Sequence, residues 1–325
     1  MSNPAEDSIA DLLATLDLEE VGAVEVSLRP RQGRGAEDAV EATLPSLFNE
    51  DVTVFLGQSQ KMPHGRVFGG QVLAQCVMAA GRTIAPMDGG GQRPIHSLHA
   101  YFMRPGDDTE PIHFTVERMR DGASFSTRRV HAIQHGKPIL SASASFQEVA
   151  DGLDHQDPMP DVTPPEELPS LVDTFGAIDH PRAQQTVRRR PVDLRHVDGA
   201  LWFSAPEPAP SQNVWMRANG ELPDDALVQS AILAYCSDYT LLEPILRRHG
   251  VAWPDPRLRI ASLDHAMWFH RPGRVDDWVL YTQESPSAIS GRGLGIGRMF
   301  SRDGRLLATV AQEGMVRLKQ TPAPY

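Results

Sequence analysis

The strongest constraint on this 325-residue chain is that it repeats itself. SLHAYFMRPG at 97–106 returns as SLDHAMWFHRPG at 262–273, and ILSASASFQ at 139–147 returns as LLATVAQEG at 306–314. The interval from Arg104 to Arg271 equals that from Glu117 to Glu284 and that from Ser145 to Gln312. A turn signal precedes the last segment in each half, Gly136-Lys137 and Asp303-Gly304. Agreement of order, turns and spacing makes chance a poor explanation. Each half therefore predicts one long buried helix followed by antiparallel strands that curl around it.

The two helices are legible. Gln71 to Ala80 is built of small and apolar residues with no acid, behind an entry loop containing Gly65, Gly69 and Gly70. LPDDALVQSAILAYCSD at 222–238 opens on Pro223, Asp224 and Asp225, residues that start helices and set negative charge at the positive end of the dipole. Leu227, Ala231, Ala234 and Asp238 share one face, and Ile232, Leu233, Tyr235 and Cys236 make the other side apolar too. This helix is expected to be enclosed, with a carboxylate at its end. A buried acid there is expected to have a raised pKa. The plainer reading is a solvated helix end, or an ion pair with Arg247 or Arg248.

Strands are expected at 51–56, 95–103, 112–119, 124–134, 139–147, 192–195, 212–217, 258–269, 278–284, 291–301 and 306–317. Residues 1 to about 30 predict one short amphipathic helix, and 30–46 a loop or insertion. The Pro- and Asp-rich stretch after 148 reads as a linker with one short helix. The resulting division is 1–46, a first repeat at 47–150, a linker at 151–190 and a second repeat at 191–320.

The copies differ in their polar residues, which cluster in the second: Asp238 on the helix, Ser262 and Asp264 on the next strand, Gln312 on the last. Alternation sets Ile260, Ser262 and Asp264 on one face, and Leu306, Ala308, Val310 and Gln312 on one face. If those faces look towards the helix, an acid, a hydroxyl and an amide converge. Such a trio can hold and deprotonate a water without metal or thiol, which suits an activated acyl group such as a thioester. Taken singly, Ser262 is an ordinary strand serine, Gln312 an edge glutamine, and Asp264 either a rival acid or a partner of Arg271.

Other chemistries find no template. There is no G-x-S-x-G elbow, dinucleotide fingerprint or P-loop, and the 12 histidines show no H-E-x-x-H, so no metal site is expected. A net charge of −11 argues against nucleic acid. Arg188, Arg189 and Arg190 form a local basic cluster, either a solvated loop or a contact for a phosphate-bearing ligand. No apolar run approaches the ~20 residues that span a bilayer. The acidic N-terminus lacks a secretory pattern, and the two cysteines, Cys76 and Cys236, read as buried thiols of a reducing compartment.

HGRVFGGQVLAQ, HAYFMRPGD, VWMRANGELPDD, LAYCSD, SLDHAMWFHRP and VAQEGMVR occur in this order. Together they resemble the acyl-CoA thioesterase II family over roughly residues 47 to 318. The resemblance implies an α+β double hotdog fold, two tandem repeats in one chain, and hydrolysis of fatty acyl-CoA without a cofactor. It implies Asp238 of LAYCSD as the catalytic acid, Ser262 as the hydroxyl and Gln312 of Q-E-G as the amide. A backbone N–H near Gly69 or Gly70 is a candidate to polarise the substrate carbonyl, and Arg190 a candidate substrate contact. A medium- to long-chain acyl-CoA substrate, a cytoplasmic setting and a homo-oligomer are expected. The rivals are a non-catalytic acyl-CoA binder and a hotdog hydratase or dehydratase, for which His64 and His99 are the candidate bases.

Overall fold

The computed structural model describes residues 4–28, 48–63, 65–86, 93–176, 178, 190–204 and 207–319. The expected insertion at 30–46, His64, Arg188 and Arg189 lie outside the described residues.

The elements in chain order are α1 (Pro4–Leu16), β1 (Glu19–Leu28), β2 (Phe48–Gly57), α2 (Gly69–Arg82) and β3 (Ile95–Phe102). β4 (Ile112–Asp121), β5 (Phe125–Gln134), β6 (Lys137–Gln147) and the short α3 (Leu171–Phe175) follow. The remainder comprises β7 (Val192–His196), β8 (Ser211–Ala218), α4 (Ala226–Ser237), α5 (Glu243–Arg248), β9 (Leu258–Ser262), β10 (Asp264–Phe269), β11 (Val279–Ile289), β12 (Arg292–Ser301) and β13 (Leu306–Leu318).

The strands form one 13-stranded sheet in the order β1-β2-β4-β5-β6-β3-β10-β13-β12-β11-β8-β7, with β9 paired to β13. The order reads alike from either end. β3 and β10 meet antiparallel in the middle, with Ser97 opposite Trp268 and Tyr101 opposite Asp264. No edge is left open between the halves.

Inside this sheet lie α2 and α4. Every residue of α2 from Gly70 to Gly81 is buried, and α2 packs on β3, β4, β5 and β6. The two helices run antiparallel in close contact. A Cβ at Gly70 would lie 2.4 Å from the Tyr235 carbonyl oxygen, and one at Gly81 2.4 Å from Leu227 Cδ1. Glycine at both ends of α2 is thus what allows the approach. α4 begins as the sequence predicts: the Asp225 side chain caps the N–H groups of Leu227 and Val228. From Ala231 to Ser237 it is buried throughout. The main apolar core is continuous across both halves, taking in Leu73, Val77, Phe114 and Phe146 with Ile232, Met267 and Val310.

Four details differ from the sequence reading. The N-terminal stretch supplies a strand, β1, as well as α1; a register shift between Glu20 and Gly22 interrupts its alternation. The strand expected at 258–269 is two, β9 and β10, broken at Leu263. Ser262 faces Gly314 and Ala266 faces Ala311, so this segment holds one residue more than β13 across the break. Leu306 does not share a face with Ala308: a register shift at Met299/Phe300 turns it to Trp215, Trp278, Leu280 and Phe300. Finally, residues after 150 lie along the second half, where Trp215 Nε1 donates to the Thr163 carbonyl and Gln156 bonds Gly304 and Leu306.

Candidate active site

α4 ends on Asp238, its C-cap residue, where β13 and β9 pass. The carboxyl is held by two donors. Gln312 Nε2 gives a hydrogen bond of 3.0 Å to Asp238 Oδ1, and the Gly70 backbone N–H gives another. The same Gln312 Nε2 donates to Ser262 Oγ at 2.7 Å. One amide therefore ties the acid of α4 to the hydroxyl of β9, and Ser262 keeps its own O–H to donate. The sequence alternation 308, 310, 312 explains why Gln312 points inward; it is 1% exposed. Neither Arg247 nor Arg248 pairs with Asp238: Arg247 donates to Gln212, Asp198 and Gly199, and Arg248 to the Ser285 carbonyl.

Asp238 retains some contact with solvent, yet protein encloses its carboxyl. Burial raises its pKa to about 7, against the two hydrogen bonds, which favour the carboxylate. The negative end of the α4 dipole acts in the same direction as burial. A carboxylate with that pKa takes and returns a proton near neutrality.

Gly69 and Gly70 form the first turn of α2 against this acid. A Cβ at Gly69 would stand 2.6 Å from Asp238 Oδ2 and 2.9 Å from Phe102, so only glycine fits. Because the Gly70 N–H is spent on Asp238, the Gly69 N–H is the candidate of the two for a substrate oxygen; neither N–H finds an intrahelical partner in a first turn.

Arg190 lies with its guanidinium over the ring of Tyr239, 4.8 Å from the centroid, and 6.0 Å from that of Trp202. It thus reaches the residue next to Asp238. Burial raises the Tyr239 hydroxyl to about 12, although Arg190 pulls it down. Phe68, Tyr235 and Tyr239 meet ring to ring, and Tyr235 donates to Gln60 Oε1 at 2.9 Å.

Asp264 is not on the face of Ser262. The extra residue at the β9–β10 break turns it away, and its Oδ1 accepts the Glu313 N–H at 2.8 Å. Arg271 pairs with Asp154 instead. The inward place goes to His265, which sequence reasoning passed over. Its Nδ1 lies 2.5 Å from Gln312 Oε1 and its Nε2 2.9 Å from Ser237 Oγ. Tyr281 was also missed; its hydroxyl donates to the Ser237 carbonyl at 3.0 Å. No sequence signal announces a bulge at Leu263, and without one strict alternation selects the wrong neighbour. His99 stands on β3 with its ring edge-on to Trp268, 5.2 Å between centroids. Among the described residues no cluster of three His, Cys, Asp or Glu is placed to hold a metal, and no helix is long and apolar enough to cross a membrane.

The comparison with known proteins agrees along most of the chain. The family model described as "Acyl-CoA thioesterase" matches residues 190–315, and "Acyl-CoA thioesterase N-terminal domain" matches 58–147. Acyl-CoA thioesterase 2 of Haemophilus influenzae is 38% identical over 274 residues, 83% of this chain and 94% of its own. Human acyl-coenzyme A thioesterase 8 is 36% identical over 314 residues, 89% of this chain and 96% of its own. The crystal structure of the acyl-CoA thioesterase II TesB2 from Mycobacterium marinum superposes with a TM-score of 0.68 at 42% identity, covering 82% of this chain and 94% of that one. A hot dog fold protein from Alicyclobacillus acidocaldarius, 20% identical, superposes at 0.65 over 84% of this chain and 94% of its own. The chain belongs to the acyl-CoA thioesterase II family and has the hotdog fold.

Proposed function

We propose that this enzyme, an acyl-CoA hydrolase by family, works by base-activated water centred on Asp238. The observation that carries the reading is the single Gln312 amide that joins a carboxyl poised near neutrality to the Ser262 hydroxyl. Water lies against the Asp238 carboxylate and the Ser262 hydroxyl and attacks the thioester carbonyl carbon. Asp238 takes its proton. The Gly69 N–H, at the positive end of α2, receives the developing oxyanion. Collapse of the tetrahedral intermediate expels the CoA thiolate, and Asp238 returns the proton to sulfur. Arg190 supplies charge for a phosphate of CoA.

The finer architecture belongs to the same proposal. The two halves, 47–150 and 191–320, are tandem copies of one hotdog unit, α2 central to the first and α4 to the second. The sheet order, alike from either end, supports this. So does the match of separate family models to the two halves. Medium- to long-chain acyl-CoA in the cytoplasm is the proposed substrate and setting; the two buried unpaired cysteines suit a reducing compartment.

Thiol release from acyl-CoA of graded chain length, with wild type beside Asp238→Asn, tests the reading. Hydrolysis by the wild type with a loss of about a hundredfold or more in the folded variant is expected. Equal activity overturns it. Single turnover in oxygen-18 water tests for an Asp238 anhydride: label entering the Asp238 carboxylate supports the anhydride and overturns direct attack.

A further inference from the structure

We propose that His265 is a positioning residue for this hydrolysis, holding the Gln312 amide in the orientation that presents its N–H donors to Asp238 and Ser262. The inference rests on the reading of Asp238, Ser262 and Gln312 given above.

A glutamine amide has two orientations that exchange oxygen and nitrogen. Only one puts Nε2 against both Asp238 Oδ1 and Ser262 Oγ, and it leaves Oε1 2.5 Å from His265 Nδ1. Two lone pairs do not approach so closely, so Nδ1 carries the proton and donates it. The other ring nitrogen, Nε2, lies 2.9 Å from Ser237 Oγ, which also reaches the Ala234 carbonyl at 2.8 Å; with the proton on Nδ1, Nε2 is left as an acceptor for that hydroxyl. The ring is 1% exposed, and burial pushes its pKa down to about 4, so near neutral pH it holds a single proton. Gln312 Oε1 selects the Nδ1–H tautomer, and the Ser237 hydroxyl, which can donate or accept, accommodates it.

The opposite orientation of Gln312 sets Oε1 against the Asp238 carboxylate. That arrangement is tolerable only when Asp238 is protonated, which is the form that cannot act as a base. His265 thus biases the amide towards the state in which the base is ready. The titratable groups around Asp238 are Tyr281 from β11 and Cys236 and Tyr239 from its own segment, with Arg190 stacked on Tyr239. Burial raises the pKa of the thiol and of both phenols, so none of the three supplies charge near neutral pH. α2 contributes the uncharged Gly70 N–H, and β13 the uncharged Gln312 amide.

The proposal predicts opposite outcomes for two isosteres. Asparagine at 265 places an N–H near the position of Nδ1; glutamine reaches the position of Nε2 and leaves Gln312 Oε1 without its donor. His265→Gln and His265→Leu are expected to lower kcat about tenfold or more, with KM within about threefold. The acid limb of the pH profile is expected to move upward, because Asp238 loses a fixed donor. His265→Asn is expected to stay within about threefold of wild type. Adding His265→Leu to Gln312→Ala is expected to cost nothing more, since the histidine acts through that amide. Equal kinetics for the Asn and Gln variants, or additive losses in the double variant, overturn the proposal. If the Leu variant does not fold, the Asn–Gln pair decides alone. If Gln312→Ala hydrolyses acyl-CoA like the wild type, it is the reading of the site that fails, not the role of His265 within it.

Discussion

α2 and α4 end in nearly the same way and serve opposite purposes. Thr83, the C-cap of α2, has φ −92° and ψ −3°; Asp238, the C-cap of α4, has φ −89° and ψ −7°. At Thr83 the end of the helix is neutralised. Arg128, 1% exposed, donates from Nε to Thr83 Oγ1 at 2.7 Å and from a terminal nitrogen to the Thr83 carbonyl at 3.1 Å, and pairs with Asp121. A cation at a helix C-terminus is the arrangement the dipole favours. At Asp238 the arrangement is inverted: an acid sits where the dipole is negative, and uncharged amide groups hold it. The strand face towards the helix changes accordingly, from Ala142, Ala144 and Phe146, all in the apolar core, to a face that carries Gln312 bonded to Asp238. One helix end is neutralised by a buried cation; the other keeps a costly group, the one proposed as the base.

The contrast breaks if activity follows the wrong end. Asp238→Asn should lower kcat/KM by about a hundredfold or more, while Thr83→Val leaves it within about twofold; steady-state thiol release measures both. On the stabilising side, Arg128→Met should cost about 2–4 kcal/mol in denaturant unfolding, because it strands buried carbonyls, with hydrolysis retained by the folded fraction. Ser262→Ala should lower kcat about tenfold, whereas Ser145→Ala leaves kcat unchanged.

pH sharpens the comparison further. A base must be deprotonated, so kcat/KM should rise with pH through about 7 as one proton leaves Asp238. The same raised pKa has a stability consequence of opposite sign. A carboxyl whose pKa is higher folded than unfolded stabilises fully below its unfolded value, about 4, and loses that contribution as pH rises through about 7. Asp238→Asn should therefore raise Tm by about 2 °C or more at pH 8 and by less at pH 4, measured by calorimetry.

Much of this was legible because both signals are periodic. The repeated segments raised the expectation of two similar units, which remains part of the proposal, and alternation along β13 aimed Gln312 at the helix that ends on Asp238. What escaped reading depends on events that have no period. One extra residue at Leu263 sends Asp264 to the Glu313 N–H and His265 to the site. The burial of Arg128 depends on Thr83 and Asp121 both reaching it, which no local pattern encodes. The seating of Arg190 on Tyr239 is likewise a meeting of segments remote in sequence.

The β3–β10 pairing at the middle of the sheet bears on how the chain assembles. It joins residues as distant in sequence as Ser97 and Trp268, with the whole of β4 to β9 threaded between them. Closing so long a loop has an entropic cost that neighbouring hairpins such as β5–β6 do not incur. Hairpins are therefore expected to form before this seam. Until it closes, each half presents a bare central strand, and on a crowded ribosome the nearest strand to receive it can belong to another chain.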